Sequence, residues 1–471
     1  MKPIPDEIES ALHQSYGFVL LIKGKAGTGK TTLALEILRF VENPLYISTR
    51  VKPPFLYEQF PSISESLPKE NIIDATTFEI PPIPSFNDDQ TFLESLKLKD
   101  LPDFLKTLFL KVNVGNPGTI VIDSWDAIAA LGVTRWAKAE NLLANYILDL
   151  VRQKNYNLIL ILETEAISYL DYLVDGIVCL DNSFFEGDKL IRELHLLKLR
   201  GVKINQPTYL FSLNNGKFTT FQSSLRPAFN PPQGVFPIED NNSRFSTGIP
   251  GFDRILEGGL QPGTIILTEI HPYLGYANAF FMMPTFIQFG LHGRGIIAIP
   301  PPGRLYKSEV LLLKKLINKD PFFEQSIRII QIGEGESTLS YIITIDTPNH
   351  RDFFNCILNF ADELDPSNEK RPYLMIISVD YIPKKFDLNE VIPDTSRIIN
   401  QLKSTGNVFY LTAMEGNPYI EALKNEVDAH FVINQRNGKP IFYGRNPRTN
   451  LFAINYVDSE GFFDVNLAPI V

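Results

Sequence analysis

The stretch "GKAGTGKT", Gly24 to Thr31, combines the residue types that hold a polyphosphate. Glycines let backbone N–H groups curl around a β-phosphate, Lys30 can reach the β- and γ-phosphates, and Thr31 offers a hydroxyl to Mg²⁺. Gly24, Lys25, Ala26, Gly27, Thr28, Gly29, Lys30, Thr31 and Thr32 are therefore the candidate nucleotide-binding set, with ATP and Mg²⁺ as the expected cofactors. Lys30 is also a candidate catalytic group, because its charge would sit on the phosphates being separated. The apolar run "FVLLI" precedes the loop and "LALEILRF" follows it, which supplies the strand and helix that this chemistry requires.

A metal carboxylate should end a buried strand of the same sheet. In "GTIVIDSWDAI" the apolar run Thr119 to Ile122 delivers Asp123 to such an end, where open α/β sheets place their ligand crevice. Thr31 and Asp123 are thus the candidate metal ligands. Asp126 is the weaker choice, since it suits a cap on the following helix. A further buried strand, "NLILILETEA", brings Glu163 and Glu165 toward the same crevice. Alternating apolar strands and helices predict an α/β fold with a mainly parallel, helix-covered sheet.

The chain repeats itself. "IPDEIESALHQSYGFVLLIKG" from Ile4 matches "IPGFDRILEGGLQPGTIILTE" from Ile249, which aligns the loops and places Gly29 with Gly275. At the other loop positions Lys30 becomes Tyr276, Thr31 becomes Ala277 and Gly24 becomes Ile270, while "LMIISVDYI" offers Ser378 where the first copy has Asp123. The second copy has lost its nucleotide chemistry. "YLFSLNNGKFTTF" and "NLFAINYVDSEGFFDV" read as matching terminal hairpins. At 471 residues the chain has room for two such domains, placed at 1–228 and 243–471 with a Pro-, Asn- and Gly-rich linker at 229–242.

With 44% apolar and 21% charged residues the composition is globular. No apolar run approaches the roughly 20 residues that span a bilayer, and "MKPIPDEIES" lacks signal-peptide character, so a cytoplasmic protein without a membrane partner is expected. A net charge of −10 disfavours nucleic acid as a partner. Cys179 and Cys356, set among apolar residues, are expected to be buried free thiols.

On these residues the chain resembles the KaiC-like branch of the RecA superfamily, which includes GvpD-type regulators. The most specific segment is "STGIPGFDRILEGGLQPGTIIL", Ser246 to Leu267, and a second is "LHLLKLRGVK", similar to the family's Lys-x-Arg strand. The resemblance implies two tandem RecA-like P-loop domains, the second degenerate, with ATP/ADP as ligand. It also implies a homo-oligomer, possible as a ring, in which Lys198 and Arg200 reach the γ-phosphate held by a neighbouring subunit. A regulatory protein partner is the alternative. Arg445 and Arg448 are the weaker counterparts in the second copy.

One departure stands out. The family places acidic residues after the second strand to orient the attacking water, whereas "LYISTRVKPP" has Thr49 and Arg50 there. A general base contributes roughly 10² to 10⁴ in rate, so hydrolysis is expected to be slow. Glu163 or Glu165 is the candidate substitute, with Glu163 carried forward as the catalytic carboxylate. The proline-rich stretch Glu79 to Asp89 reads as a surface loop, and His271 as a residue with no metal role. Tyr273 and Tyr276 are expected to fill the emptied phosphate site. The function that follows is a slow, KaiC-like ATPase acting as a nucleotide-dependent switch, with the second domain as scaffold or partner surface. A RecA-type recombination or repair ATPase and a nucleotide-stabilised binding protein without turnover are the alternatives.

Overall fold

The computed structural model describes residues 1–14, 16–76, 107–108, 110–111, 118–130, 137–223, 237–240, 243–303, 326–333, 339–364, 372–459 and 462–471. The expected surface loop at 79–89 and most of the expected linker lie outside them. Two compact units form, one from Met1–Gln222 with Ile470–Val471, the other from Ser223–Pro469.

In the first unit, five short strands are β1 (Val19–Lys23), β2 (Pro44–Ser48), β3 (Ile72–Asp74), β4 (Thr119–Asp123) and β5 (Asn157–Leu162). Four more are β6 (Gly176–Phe185), β7 (Lys189–Leu199), β8 (Thr208–Ser212) and β9 (Thr219–Phe221). They form one nine-stranded sheet in the order β3-β2-β4-β5-β1-β6-β7-β8-β9. Pairing is parallel from β3 through β6 and antiparallel from β6 to β9. The continuous apolar runs of β1, β2 and β4 are buried along their whole length, as strands covered on both faces must be. Successive residues of β1 feed opposite faces: Leu20 and Ile22 pack with Leu33 and Ile37, Val19 and Leu21 with Ile147 and Leu148. Fully burying a side chain of this size contributes about 1.5–3 kcal/mol.

The second unit repeats the plan with β10 (Ile265–Ile270), β11 (Ile296–Ile299), β12 (Ile327–Ile332), β13 (Ile342–Ile345) and β14 (Leu374–Ser378). Its remaining strands are β15 (Val408–Met414), β16 (Ala429–Arg436), β17 (Lys439–Asn446), β18 (Phe452–Ser459) and β19 (Phe462–Pro469). Their order, β13-β12-β11-β14-β15-β10-β16-β17-β18-β19, is that of the first sheet with β13 added at one edge. Even the irregularities recur, since the first antiparallel pair shifts register between Ile177 and Val178 in one sheet and between His430 and Phe431 in the other. The fold is therefore two α/β domains with mainly parallel, helix-covered sheets and terminal hairpins. Among the described residues no helix is long and apolar enough to cross a membrane. Cys179 and Cys356 are free but only partly buried, a correction to the expected buried thiols: Cys179 lies on β6 where its burial begins to alternate, and Cys356 lies at the margin of the buried face of the helix His350–Leu364.

Candidate nucleotide site

β1 ends at Lys23 and releases the loop. At Gly24 the backbone has φ +148°, and a Cβ would lie 2.3 Å from the Leu180 carbonyl oxygen. At Gly29, with φ +99°, it would lie 2.9 Å from the Leu213 side chain. Only glycine fits either position. The loop closes on itself: the Lys30 ammonium donates to the carbonyls of Gly24 (2.8 Å) and Lys25 (2.6 Å), and the Thr28 hydroxyl to that of Lys25 (2.9 Å). Arg192 of β7 donates from Nη1 to the Gly27 carbonyl at 3.3 Å and from Nε to the Val471 carbonyl at 2.8 Å. The helix Lys30–Leu38 begins at Gly29 with no side-chain cap, which leaves its first N–H groups for an anion. Burial pushes the Lys30 pKa down, against the opposing charges of Glu163, Asp123 and Asp126.

Asp123 lies beside this loop. The Thr31 hydroxyl donates to its Oδ2 at 2.6 Å, and the hydroxyl of Tyr46, from β2, donates to the same oxygen at 2.6 Å. Burial raises the Asp123 pKa, while the hydrogen bonds from Thr31 and Tyr46 and the Lys30 charge pull it back. Thr49 fixes the strand end, its Oγ1 accepting from the Ser124 N–H (2.7 Å) and donating to the Asp123 carbonyl (2.9 Å). A hydroxyl and a carboxylate already in contact are the donor set of a Mg²⁺ site beside a phosphate cradle, so these residues fit the nucleotide and the metal.

Glu163 follows β5, and Arg50 follows β2. Because β4 lies between those strands, the two side chains meet across the strand end that carries Asp123, with Arg50 Nη1 3.1 Å from Glu163 Oε2. Asp126 accepts the Glu163 backbone N–H at 2.7 Å, which makes it a brace for that loop. Glu165 pairs instead with Lys25 of the loop at 3.5 Å. Lys198 and Arg200 are not brought to the loop of their own chain. Lys198 donates to the carbonyls of Val174 (2.6 Å) and Asp171 (3.2 Å), and Arg200 to the Asp175 carboxylate at 3.1 Å.

Sequence reasoning missed Tyr46, Lys23 and Arg192. Tyr46 carried a signal, since a hydroxyl inside the apolar run "PLYIS" needs a buried partner. Lys23 pairs at 2.8 Å with Asp171, a residue 148 positions away, and nothing local announces that.

The second domain answers each feature differently. Glu269 stands at the place of Lys23 and is bound by His430 Nε2 (2.8 Å) and Arg445 Nη1 (3.0 Å). β10 runs on to Ile270 where the first domain begins its loop. Ser378 ends β14 with its hydroxyl 3.2 Å from Asp380, and Asp380 accepts the Met414 N–H at 3.0 Å just as Asp126 braces Glu163. By strand register Met414 occupies the place of Glu163. Tyr273 does not fill the lost phosphate site: it is 80% exposed, its ring set against His271, because the helical turn Pro272–Leu274 presents it to solvent. The Tyr276 side chain lies outside the described residues. Arg445 is committed to Glu269 of its own domain. His271 approaches Glu415 at 4.0 Å, and no metal-binding cluster occurs among the described residues.

Comparison with known proteins agrees with this geometry. Residues 8–197 match the family described as GvpD gas vesicle protein, P-loop domain. Protein GvpD1 of Halobacterium salinarum is 25% identical over 99% of this chain and 96% of its own length, and Protein GvpD2 of the same organism is 24% identical over the same shares. The circadian clock oscillator protein KaiC of Picosynechococcus is 24% identical over 53% of this chain and 48% of its own length. A glycine cradle closed by Lys30, a Thr31–Asp123 pair and two sheets of one strand order agree with that likeness: residues 8–197 match a P-loop domain of the GvpD type, and the chain is similar to the KaiC/GvpD-like P-loop ATPases of the RecA superfamily.

Proposed function

We propose that the first domain binds one ATP with Mg²⁺, hydrolyses it slowly, and acts as a nucleotide-dependent switch, while the second domain serves as scaffold or partner surface. The hydrogen bond from Thr31 to Asp123 carries this reading, because it joins the two expected metal ligands at the mouth of the loop. Lys30 and the loop N–H groups hold the β- and γ-phosphates, and Thr31 and Asp123 hold the metal. Bound Mg²⁺ neutralises charge that develops on the phosphate oxygens. Glu163 is the carboxylate placed to accept a proton from an attacking water, and its ion pair with Arg50 withholds it, which accounts for slow turnover. Lys198 and Arg200, held away from their own loop, act on the nucleotide of a second copy in an oligomer, so that nucleotide state changes subunit packing.

The same ion pair favours a second reading, a nucleotide-binding protein without turnover. Measuring ATP turnover with Mg²⁺ together with bound-nucleotide stoichiometry, for the wild type and Lys30→Ala, separates the two. One nucleotide per chain with slow turnover supports the ATPase. One nucleotide without turnover supports the binder, and none at all sinks both.

A further inference from the structure

Arg50 stands where an acid is expected, yet it does not simply face solvent. Thr49, fixed to the backbone on both sides of the Asp123–Ser124 bond, holds the chain at the position before it. Its guanidinium then reaches over the end of β4 to Glu163. Three observations bear on what it does there. The Arg50 charge falls on Lys30, along with those of Glu163, Asp123 and Asp126, so all five groups share one small region. The pair is partly exposed, with side-chain exposures of 47% and 26%, and ion pairs of that kind are held weakly and exchange partners readily. Arg50 follows β2, which lies on the far side of β4 from β5 and β1, and its guanidinium reaches back over the strand end that carries Asp123, the residue bonded to Thr31 of the loop.

We propose that Arg50 is the residue by which this site tells a nucleoside triphosphate from a diphosphate, with Glu163 as its counter-ion when no terminal phosphate is present. The inference rests on the nucleotide site proposed above. A guanidinium forks onto phosphate oxygens and is less tightly hydrated than an ammonium, so the half-exposed Arg50 leaves a single carboxylate for a more highly charged partner. A nucleoside diphosphate offers nothing at that distance and leaves the Arg50–Glu163 pair closed. The substitution of arginine for an acid thus converts a water-positioning corner into a phosphate-reading one. The same exchange uncovers the Glu163 carboxylate only when the triphosphate is bound.

The test compares binding of MgADP and of the Mg²⁺ complex of the β,γ-imido analogue of ATP, by calorimetry on the full chain. Arg50→Ala is expected to weaken the imido analogue roughly tenfold or more while ADP changes less than about threefold. Arg50→Lys should recover part of that loss, since it restores charge without the fork. Glu163→Gln, which loosens the resting pair, should strengthen the imido analogue about two- to fivefold. Equal loss for both nucleotides, no change for either, or tighter triphosphate binding in Arg50→Ala would each overturn the inference while leaving the nucleotide site standing. A wild-type chain that binds neither nucleotide overturns the site and the inference together. Unfolding midpoints within about 2 °C across the variants show that the comparison is between folded proteins.

Discussion

Lys23 and Glu269 occupy the same place in two copies of one sheet, and they carry opposite charges. Lys23 ends β1 and is paired with the Asp171 carboxylate, with the Ala166 carbonyl as a further acceptor; Glu269 lies within β10, hydrogen-bonded to His430 and paired with Arg445. Around each charge the strand order, the parallel pairing and even the register shift are the same. The difference teaches that this scaffold constrains packing, not chemistry. A buried charge is tolerated in either sign provided that its own partners satisfy it, and the site beyond is then free to be kept or lost. Where the first domain spends the end of its strand on a phosphate loop, the second extends the strand by one residue to Ile270 and starts a long apolar helix, Gly275–Leu291.

The sharpest way to break this comparison is at the loops. Lys30→Ala should lower ATP affinity about 100-fold or more, because it removes the buried ammonium that holds the loop carbonyls and that we propose takes the phosphates, while Tyr276→Ala should leave it unchanged. Equal loss in both, measured by nucleotide titration, would mean that the second domain also binds nucleotide.

Next comes the reversed charge. Glu269→Ala should destabilise the chain by about 2–4 kcal/mol in denaturant unfolding, since it takes the acceptor from the buried His430 and the carboxylate from the Arg445 pair, and should leave nucleotide affinity alone. The pH dependence has a definite sign. Burial pushes the Glu269 pKa up, but the hydrogen bond from His430 and the Arg445 charge outweigh it and hold it below the ordinary 4.5. Its stabilisation is therefore present above that value and lost as pH falls through the lower folded pKa. An unchanged acid limb in Glu269→Ala would contradict this.

A smaller effect is expected at the hairpins. Lys189 and Lys439 each begin the second strand of the first antiparallel pair, and Lys189 has Asp188 at 3.4 Å, whereas burial pushes Lys439 down to about 8. The unfolded chain keeps that proton to about pH 10.4, so between pH 8 and 10.4 it binds more protons than the folded one and stability rises with pH. Lys439→Met should flatten that rise and add roughly 1–3 kcal/mol at pH 7. A pH profile identical to that of the wild type would show that Lys439 is better solvated than its burial implies. The smallest effect is at Tyr46. Its hydroxyl is fully buried against Asp123, and Tyr46→Phe should weaken Mg²⁺-dependent nucleotide binding by a few-fold, in line with one lost hydrogen bond of about 0.5–1 kcal/mol. A change in the Mg²⁺-free affinity instead would place its role in packing.

The phosphate loop could be read from the chain because it is continuous: eight consecutive residues supply the glycines, the lysine and the hydroxyl, and the apolar runs on either side announce strand and helix. Asp123 was legible for a related reason, as a carboxylate closing an apolar run. Tyr273 departs from the expectation that it fills the lost site, because β10 runs on to Ile270 and the helical turn Pro272–Leu274 presents the ring to solvent.

By itself, then, the sequence determined what lies within one strand, one loop or one repeat: the two α/β domains, the glycine-rich loop at Gly24–Thr31, and the replacement of Lys30 and Asp123 by Tyr276 and Ser378 in the second copy. Tertiary structure alone decided which distant groups meet. Tyr46 finds Asp123 because β2 and β4 are neighbours, and Arg50 finds Glu163 because β4 is the only strand between β2 and β5. Lys198 and Arg200 turn from their own loop because their partners lie on the segment just before β6. Such pairings depend on the order in which strands add to the sheet, and that order is fixed by the packing of the whole domain, not by any local pattern of residues.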